Sequence, residues 1–374
     1  MTNRDTIWDV IIIGAGPAGS TLALALRQQR LNVLLLDQSR FPRPKVCGGC
    51  LNGNALAALA TLGLSNRIRN LGGQPIQSLQ LSANHRTAHI ALASGVSLSR
   101  EVLDESLIQA AIEAGVTFES GVRATMQDVD GDVRHCQLRS DAVTTTATSR
   151  VVILAHGLKA GAVAKQSWIG AGVVLDEVPL GYLAHTISMA VGTGGYVGGV
   201  HVEAGRFDLA AALDVDLVKA HGGLGAAAVA IQHQAGFPEI PGLANAAWKG
   251  TPQLTRQPKR IAGQRWFAVG DAAGYVEPFT GEGMAWAITG AIALAPIVRK
   301  AVMNWNDAHA TQWHATHVRQ VGRRQRSCRM LRAVLHSPRL ASGLVRVLSF
   351  APKLASPVVR LLSRPAAIPS GVTS

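Results

Sequence analysis

The sequence predicts a two-domain α/β protein, in which a parallel-sheet domain is interrupted by an inserted antiparallel β-sheet domain. Three observations carry this expectation. A strand–glycine loop–helix–strand unit occupies residues 9–37, a second glycine-rich strand–loop–helix unit occupies 266–291, and short glycine-punctuated strands lie between them. At 374 residues the chain is about two ordinary domains long. Its composition, 48% hydrophobic and 16% charged, excludes a disordered or fibrous chain and supplies ample material for a core.

The first unit opens with the β-branched run 10–13, which reads as a buried parallel strand. Gly14-Ala15-Gly16-Pro17-Ala18-Gly19 follows and begins an Ala/Leu-rich helix over 17–30. A second strand, 33–36, ends at Asp37. Gly14 permits the tight turn, Gly16 lets the backbone approach a pyrophosphate, and Gly19 lets helix and strand pack closely. The helix N-terminus offers free N–H groups to phosphates, and an acid ending the second strand suits ribose hydroxyls. Strand, glycines, helix, second strand and acid occur in order, so the unit reads as a Rossmann-like dinucleotide site.

The second unit reads WFAVGDAAGYVEPFTGEGMAWAITGA. A short strand ends in Gly270-Asp271, a loop carries Pro278 and Gly281-Glu282-Gly283, and a small-residue helix starts at Met284. The pairing of GxGxxG with a distant GDAA…P…GxG resembles FAD-dependent oxidoreductases of the para-hydroxybenzoate hydroxylase superfamily, and within it the geranylgeranyl reductase-like branch. The resemblance implies a Rossmann-like FAD-binding domain of the glutathione reductase 2 type with an inserted substrate domain. Asp271 then contacts the ribityl chain, and 281–284 lies at the flavin pyrimidine edge, where a helix N-terminus favours negative charge.

Three further stretches fit the same family. Phe41-Pro-Arg-Pro-Lys-Val-Cys47-Gly-Gly-Cys50 resembles the loop that runs past the flavin, and Ser99-Arg100 resembles the segment whose Arg touches the cofactor. The run 151–157, ending Ala155-His156-Gly157, resembles the return strand that usually closes in Ala-Asp-Gly. The implied cofactor-binding set is Gly14, Gly16, Pro17, Ala18, Gly19, Asp37, Arg100, Ala124, Gly157, Asp271, Gly281, Gly283 and Met284. His156 replaces the hydroxylase Asp and the Arg expected shortly after it is missing, so NAD(P)H is a candidate electron donor and a protein donor is another. The aromatic-proline signature of prenyl reductases is absent, 194–199 standing in its place, and so is the Trp-x-Trp-x-Ile-Pro pattern of flavin halogenases.

Strands expected at 75–93, 196–202 and 206–213, with a helix over 216–235, build the inserted domain. The expected division is 1–72, 97–165 and 262–310 for the FAD-binding domain and 73–96 and 166–261 for the substrate domain. A basic helical tail, 311–374, completes it. The cleft between the two domains is expected to hold a small organic, apolar substrate over the flavin.

Cys47 and Cys50 form a CxxC with glycines between, readable as small residues packed beside the flavin, as a modulating thiol, or as a functional disulfide. Cys136 and Cys328 read as incidental, and the twelve histidines show no metal-ligand spacing, so no metal is expected. Cys47, Glu282 and Tyr196 are candidate catalytic side chains by position alone. A flavoenzyme needs no catalytic triad, because the cofactor carries the hard chemistry. The expected function is hydride or electron transfer by a reductase or dehydrogenase; the alternatives are an oxygen-using flavin monooxygenase, a flavin-free nicotinamide dehydrogenase and a non-catalytic prenyl-group carrier.

The formal charge of +13 is concentrated at the C-terminal end, where residues 319–374 hold eleven Lys or Arg and no acid, leaving 25 basic against 23 acidic residues elsewhere. Residues 338–349 and 352–363 are near-copies at a period of 14, cut by prolines into helices of about ten residues. Helices that short need a surface, either the protein's own body or an anionic membrane. No nucleic-acid module is recognisable. Four cysteines, no signal-type N-terminus and no uncharged apolar run longer than 14 residues suggest a cytoplasmic protein, in peripheral contact with a membrane at most.

Overall fold

A computed structural model describes residues 6–363 apart from 142, 160, 278 and 280. Pro278 and the tail beyond 363 therefore lie outside the described residues. Two large sheets organise the chain.

The first sheet is centred on Ile7–Ile13, whose 10–13 segment is almost wholly buried because both its faces are covered: helices pack on Val10 and Ile12, and the strands Arg123–Asp130 and Val133–Arg139 pack on Ile11 and Ile13. It pairs in parallel with Val33–Asp37 on one side and Thr144–Leu154 on the other, in the register Ile13↔Leu36 and Ile13↔Leu154. Thr117–Ser120 and Trp266–Ala268 extend the sheet outward, both in parallel. The strands Arg123–Asp130 and Val133–Arg139 form an antiparallel meander leading into Thr144–Leu154. Helices Pro17–Gln28, Arg100–Glu113 and Gly283–Met303 share one apolar core with this sheet. Gly283–Met303 is long and apolar enough by composition to cross a membrane, but most of it is buried here as a core helix.

The second sheet runs, in spatial order, Lys249–Gln253, Ile169–Leu175, Phe207–Leu213, Gly195–His201, Thr186–Gly192, Gln74–Ala83, Arg86–Ser97, Cys50–Asn52. It departs from the sequence expectation in three ways. Its pairs are antiparallel except one, since Gln74–Ala83 and Thr186–Gly192 run parallel, with Ser78 opposite Thr186. The two hairpin sets come from separate stretches of chain, and this seam is where they meet. Cys50–Asn52, expected in the first domain, supplies the edge strand beside Arg86–Ser97. The helix expected over 216–235 is two helices, Val215–Ala220 and Leu224–Ala235, broken where Gly222 takes φ 76°.

The tail boundary also moves. Trp313 is fully buried in the first core and donates its indole N–H to the Ala268 carbonyl at 2.9 Å. Helix Ala308–His317 is thus part of the FAD-side body. Beyond it, Arg323–Leu335 and Pro338–Phe350 lie on the second sheet. Leu335, Ala341, Val345 and Leu348 bury against Leu81, Ile90, Trp168 and Met189. Of the two surfaces the sequence left open, the protein's own body takes one face of these helices.

Helix Ala308–His317 carries a pH liability. Burial pushes the His317 imidazole down to about 4, from an ordinary value near 6.5. A depressed pKa on a base means stability that is complete above the unfolded value and is lost as pH falls from 6.5 through 4. The full effect is about 3 kcal/mol at 1.36 kcal/mol per pKa unit. His317→Gln is therefore expected to show a shallower fall in melting temperature between pH 7 and pH 4 than the parent. Parallel curves for the two proteins would remove His317 from the account of acid sensitivity.

Candidate active site

One cavity of about 820 Å³ runs between the two sheets and under the tail. At its first-sheet end lies the glycine loop. Gly14 takes φ 113°, and a Cβ there would sit 2.4 Å from the Ala155 carbonyl oxygen. A Cβ on Gly19 would stand 1.8 Å from the Gly14 carbonyl oxygen, so this glycine faces the strand turn and lies off the cavity wall. Gly16 differs: its Cβ would meet only an Arg100 nitrogen at 3.5 Å, and the space beyond is cavity. Helix Pro17–Gln28 starts there with Pro at its first position and no side-chain cap, which leaves its first N–H groups available to an anion.

The Asp37 carboxylate accepts the Ala15 N–H at 2.9 Å and the Ser39 N–H at 2.8 Å, tying the second strand's end to the loop. Arg100 forks onto Asp104 with two 2.7 Å bonds, and Arg43 stands 3.8 Å from both Asp37 and Asp104. The buried Nε of Arg43 has no hydrogen-bond partner. Lys45 lies in the same wall, and its ammonium is pushed below its ordinary pKa by burial and by Arg100 and Arg43. Three cations thus crowd beside an uncapped helix N-terminus.

The second unit closes on the first. Gly270 takes φ 63°, and a Cβ on it would come within 2.8 Å of the Ala18 methyl. Asp271, on the short turn Gly270–Ala273, has its carboxyl raised by burial, with Lys45 and then Arg100 opposing that rise. Gly14, Gly16, Pro17, Ala18, Asp37, Arg100, Ala124, Gly157, Asp271, Gly281, Gly283 and Met284 all line the cavity, so of the expected set only Gly19 does not. Cys47 and Tyr196 line it as well.

Glu282 does not. It is 1% exposed and turned away, paired with Arg324 at 3.4 Å and accepting the Cys328 S–H at 3.7 Å, both from helix Arg323–Leu335. It precedes helix Gly283–Met303 without capping it through its side chain, and its carboxylate is taken up by Arg324 and Cys328, so its candidacy as a catalytic group is withdrawn. Cys328, read as incidental, serves this buried carboxylate. Glu277, equally buried, sits 3.7 Å from both Arg332 and His336 and hydrogen-bonds the Tyr196 phenol. The His336 ring stacks on Trp168 with centroids 3.6 Å apart. The tail helix therefore grips both ends of the 277–282 loop through buried carboxylates. A lone Glu in a loop gives no sequence signal of a partner some fifty residues later.

At the far end the wall turns apolar, with Leu81, Ile90, Met189 and Phe279 facing Leu344 and Leu348 of the tail. The Tyr196 and Phe279 rings meet edge-on at 5.0 Å. Cys47 and Cys50 are free thiols, both pushed upward by burial, and Cys50 donates to the Gly48 carbonyl at 2.9 Å. Neutral thiols are poor nucleophiles and poor partners for exchange. The Cys47→Ser/Cys50→Ser double variant is accordingly expected to keep its flavin absorbance and most of its turnover; alkylation-sensitive activity in the parent would contradict this.

Residues 8–170 match the family model for an FAD binding domain. The chain shares 31% identity over 154 residues with a pyrrole-2-carbonyl carrier-protein brominase of Pseudoalteromonas luteoviolacea, covering 40% of this chain and 37% of the relative. It shares 30% over 161 residues with the menaquinone reductase of Mycobacterium tuberculosis strain H37Rv, covering 40% and 38%. The matched stretch thus spans well under half the length of each of these two relatives. Whole-fold similarity is broader. A flavin-dependent brominase superposes with a TM-score of 0.77 over 96% of this chain and 94% of its own, at 20% identity. A probable FAD-dependent monooxygenase of Pseudomonas aeruginosa gives 0.72 over 90% and 99%, at 17%. These superpositions establish the para-hydroxybenzoate hydroxylase type of fold expected from the two motifs.

The residues present fit FAD. An open approach at Gly16, an uncapped helix start, the orphaned Arg43 Nε and the Lys45 and Arg100 cations suit a pyrophosphate, while Asp37 and Asp271 can accept from hydroxyls. Asp271→Ala removes one such acceptor, and the purified variant is expected to carry a small fraction of the parent's 450 nm flavin absorbance. Full flavin occupancy in that variant would displace Asp271 from the site.

Proposed function

We propose that this protein is an FAD-dependent oxidoreductase that acts on an apolar organic molecule by hydride or electron transfer, as a reductase or dehydrogenase. One observation carries the reading: a single cavity joins the cationic glycine-loop end to an apolar chamber between the second sheet and the tail. Flavin supplies the redox chemistry when bound. The chain's own residues bind, orient and exclude water. Arg43, Lys45 and Arg100 hold the anionic part of the cofactor, and the start of helix Gly283–Met303 favours negative charge at its reacting end. Leu81, Ile90, Met189, Leu344 and Leu348 desolvate the substrate.

Tyr196 is the polar group best placed in the apolar chamber. Burial raises its phenol well above its ordinary pKa, and Glu277 accepts its proton in a hydrogen bond, so it stays a neutral O–H. It is positioned to orient a polar atom of the substrate or to hold a proton beside it. The environment is cytoplasmic in this reading.

The test is anaerobic reduction of the purified yellow protein by NADPH and by NADH in a stopped-flow instrument, followed by mixing with oxygen. His156 lines the cavity at the position of the usual acid, with its imidazole lowered by burial. Slow bleaching by both nucleotides and faster reduction by a chemical or protein donor is the expected result. Rapid stoichiometric bleaching by micromolar NADPH, followed by oxygen consumption coupled to substrate, would replace the reading with a monooxygenase.

A further inference from the structure

The tail helices bury one face on the second sheet and leave the other bare. On Pro338–Phe350 the outward positions Leu340, Val347 and Phe350 are 57%, 51% and 78% exposed, and Arg339 and Arg346 stand beside them. One repeat later Leu354 and Val358 are also exposed, flanked by exposed Lys353 and Arg360. Large apolar side chains exposed together and rimmed by charged ones mark an interaction surface. Arg323, Arg326 and Arg329 extend the positive charge along the neighbouring helix, and residues 319–374 contain no acid to offset it.

The patch is continuous with the cavity. Leu354 and Val358 are exposed and also line the cavity wall, while Leu344, Leu348 and Val359 line it from within. The outer surface and the apolar chamber therefore share side chains at one mouth.

We propose that this face seats on an anionic phospholipid bilayer, with the mouth between Leu354 and Val358 turned toward the acyl region so that an apolar ligand reaches the chamber without crossing water. The ligand part rests on the oxidoreductase reading; the seating does not. Charge complementarity selects the partner. Each Lys or Arg near an acidic leaflet contributes about 1 kcal/mol, and the interleaved Leu, Val and Phe side chains add burial at the headgroup boundary. A neutral bilayer supplies only the second contribution, and salt weakens the first.

The experiment uses full-length, flavin-loaded protein. It is expected to co-sediment with vesicles containing phosphatidylglycerol at low salt, less at high salt, and weakly with phosphatidylcholine alone. Val347→Glu/Phe350→Glu alters exposed side chains outside the cavity wall and is expected to lower the bound fraction at least tenfold, with flavin content and melting temperature unchanged. Tryptophan introduced by Leu354→Trp is expected to be quenched by brominated lipid. Absence of binding to the anionic vesicles, or binding indifferent to the double substitution, overturns the seat. A concentration-dependent dimer abolished by the same double substitution assigns the face to a second copy and likewise overturns it. Binding without quenching overturns the orientation of the mouth. Because none of these readouts needs turnover, a failed oxidation or reduction assay leaves them interpretable.

Discussion

Truncation after Val318 is expected to give insoluble protein, the largest effect of any change considered for this chain. The cut strips Leu335, Ala341, Val345 and Leu348 from the second sheet and exposes Trp168, Met189, Leu81 and Ile90 together. It also removes Arg324 from Glu282, and Arg332 and His336 from Glu277, although each carboxylate is 1% exposed. Breaking a buried pair by removing one partner costs about 3–5 kcal/mol, because the charge left behind has no compensation. Two such losses plus a bared apolar face exceed a typical folding stability of about 5–15 kcal/mol. Expression followed by a soluble-fraction assay decides it: a soluble, flavin-bound, monomeric truncation would show that the tail is an appendage.

Gly19→Val and Gly16→Val are expected to fail in different ways, three residues apart. At Gly19 the first side-chain carbon would overlap a backbone oxygen at 1.8 Å, and that oxygen belongs to Gly14, itself held in the left-handed region. Neither can shift without separating helix from strand, so Gly19→Val is expected to abolish folding. At Gly16 the same carbon enters cavity space beside Arg100. Gly16→Val is expected to fold, with its circular dichroism retained, and to be colourless. A folded yellow Gly16→Val protein would move the pyrophosphate elsewhere; a well-folded Gly19→Val protein would contradict the packing at the loop.

The sequence made the first unit legible because each of its steps is local. A β-branched run, three glycines at fixed offsets and an acid at the next strand's end need no distant partner to be understood. The second unit was legible through its likeness to the first unit's partners in a known family, and the contact of Gly270 with Ala18 is the physical form of that link. What stayed hidden depends on residues far apart in the chain. Arg43 and Lys45 sit in a proline-rich loop, where a cation ordinarily faces water, and only the fold turns them inward. Glu282 read as a candidate by its position alone, between Gly281 and Gly283; those glycines do line the cavity, but its own side chain is claimed by Arg324 and Cys328. The tail's helices are apolar on two sides, so periodicity could not say which side meets the sheet.

The parallel seam between Gln74–Ala83 and Thr186–Gly192 bears on how the chain is assembled. Its paired residues Ser78 and Thr186 lie 108 positions apart, with four strands of the other sheet between them. During synthesis the Gln74–Ala83/Arg86–Ser97 hairpin emerges first and must wait with one long edge unpaired. An open edge of that kind recruits strands from other chains, and pairings between distant residues form slowly. The yield of native protein should therefore rise when translation is slowed or the temperature lowered, and neither sheet can be excised as one continuous fragment.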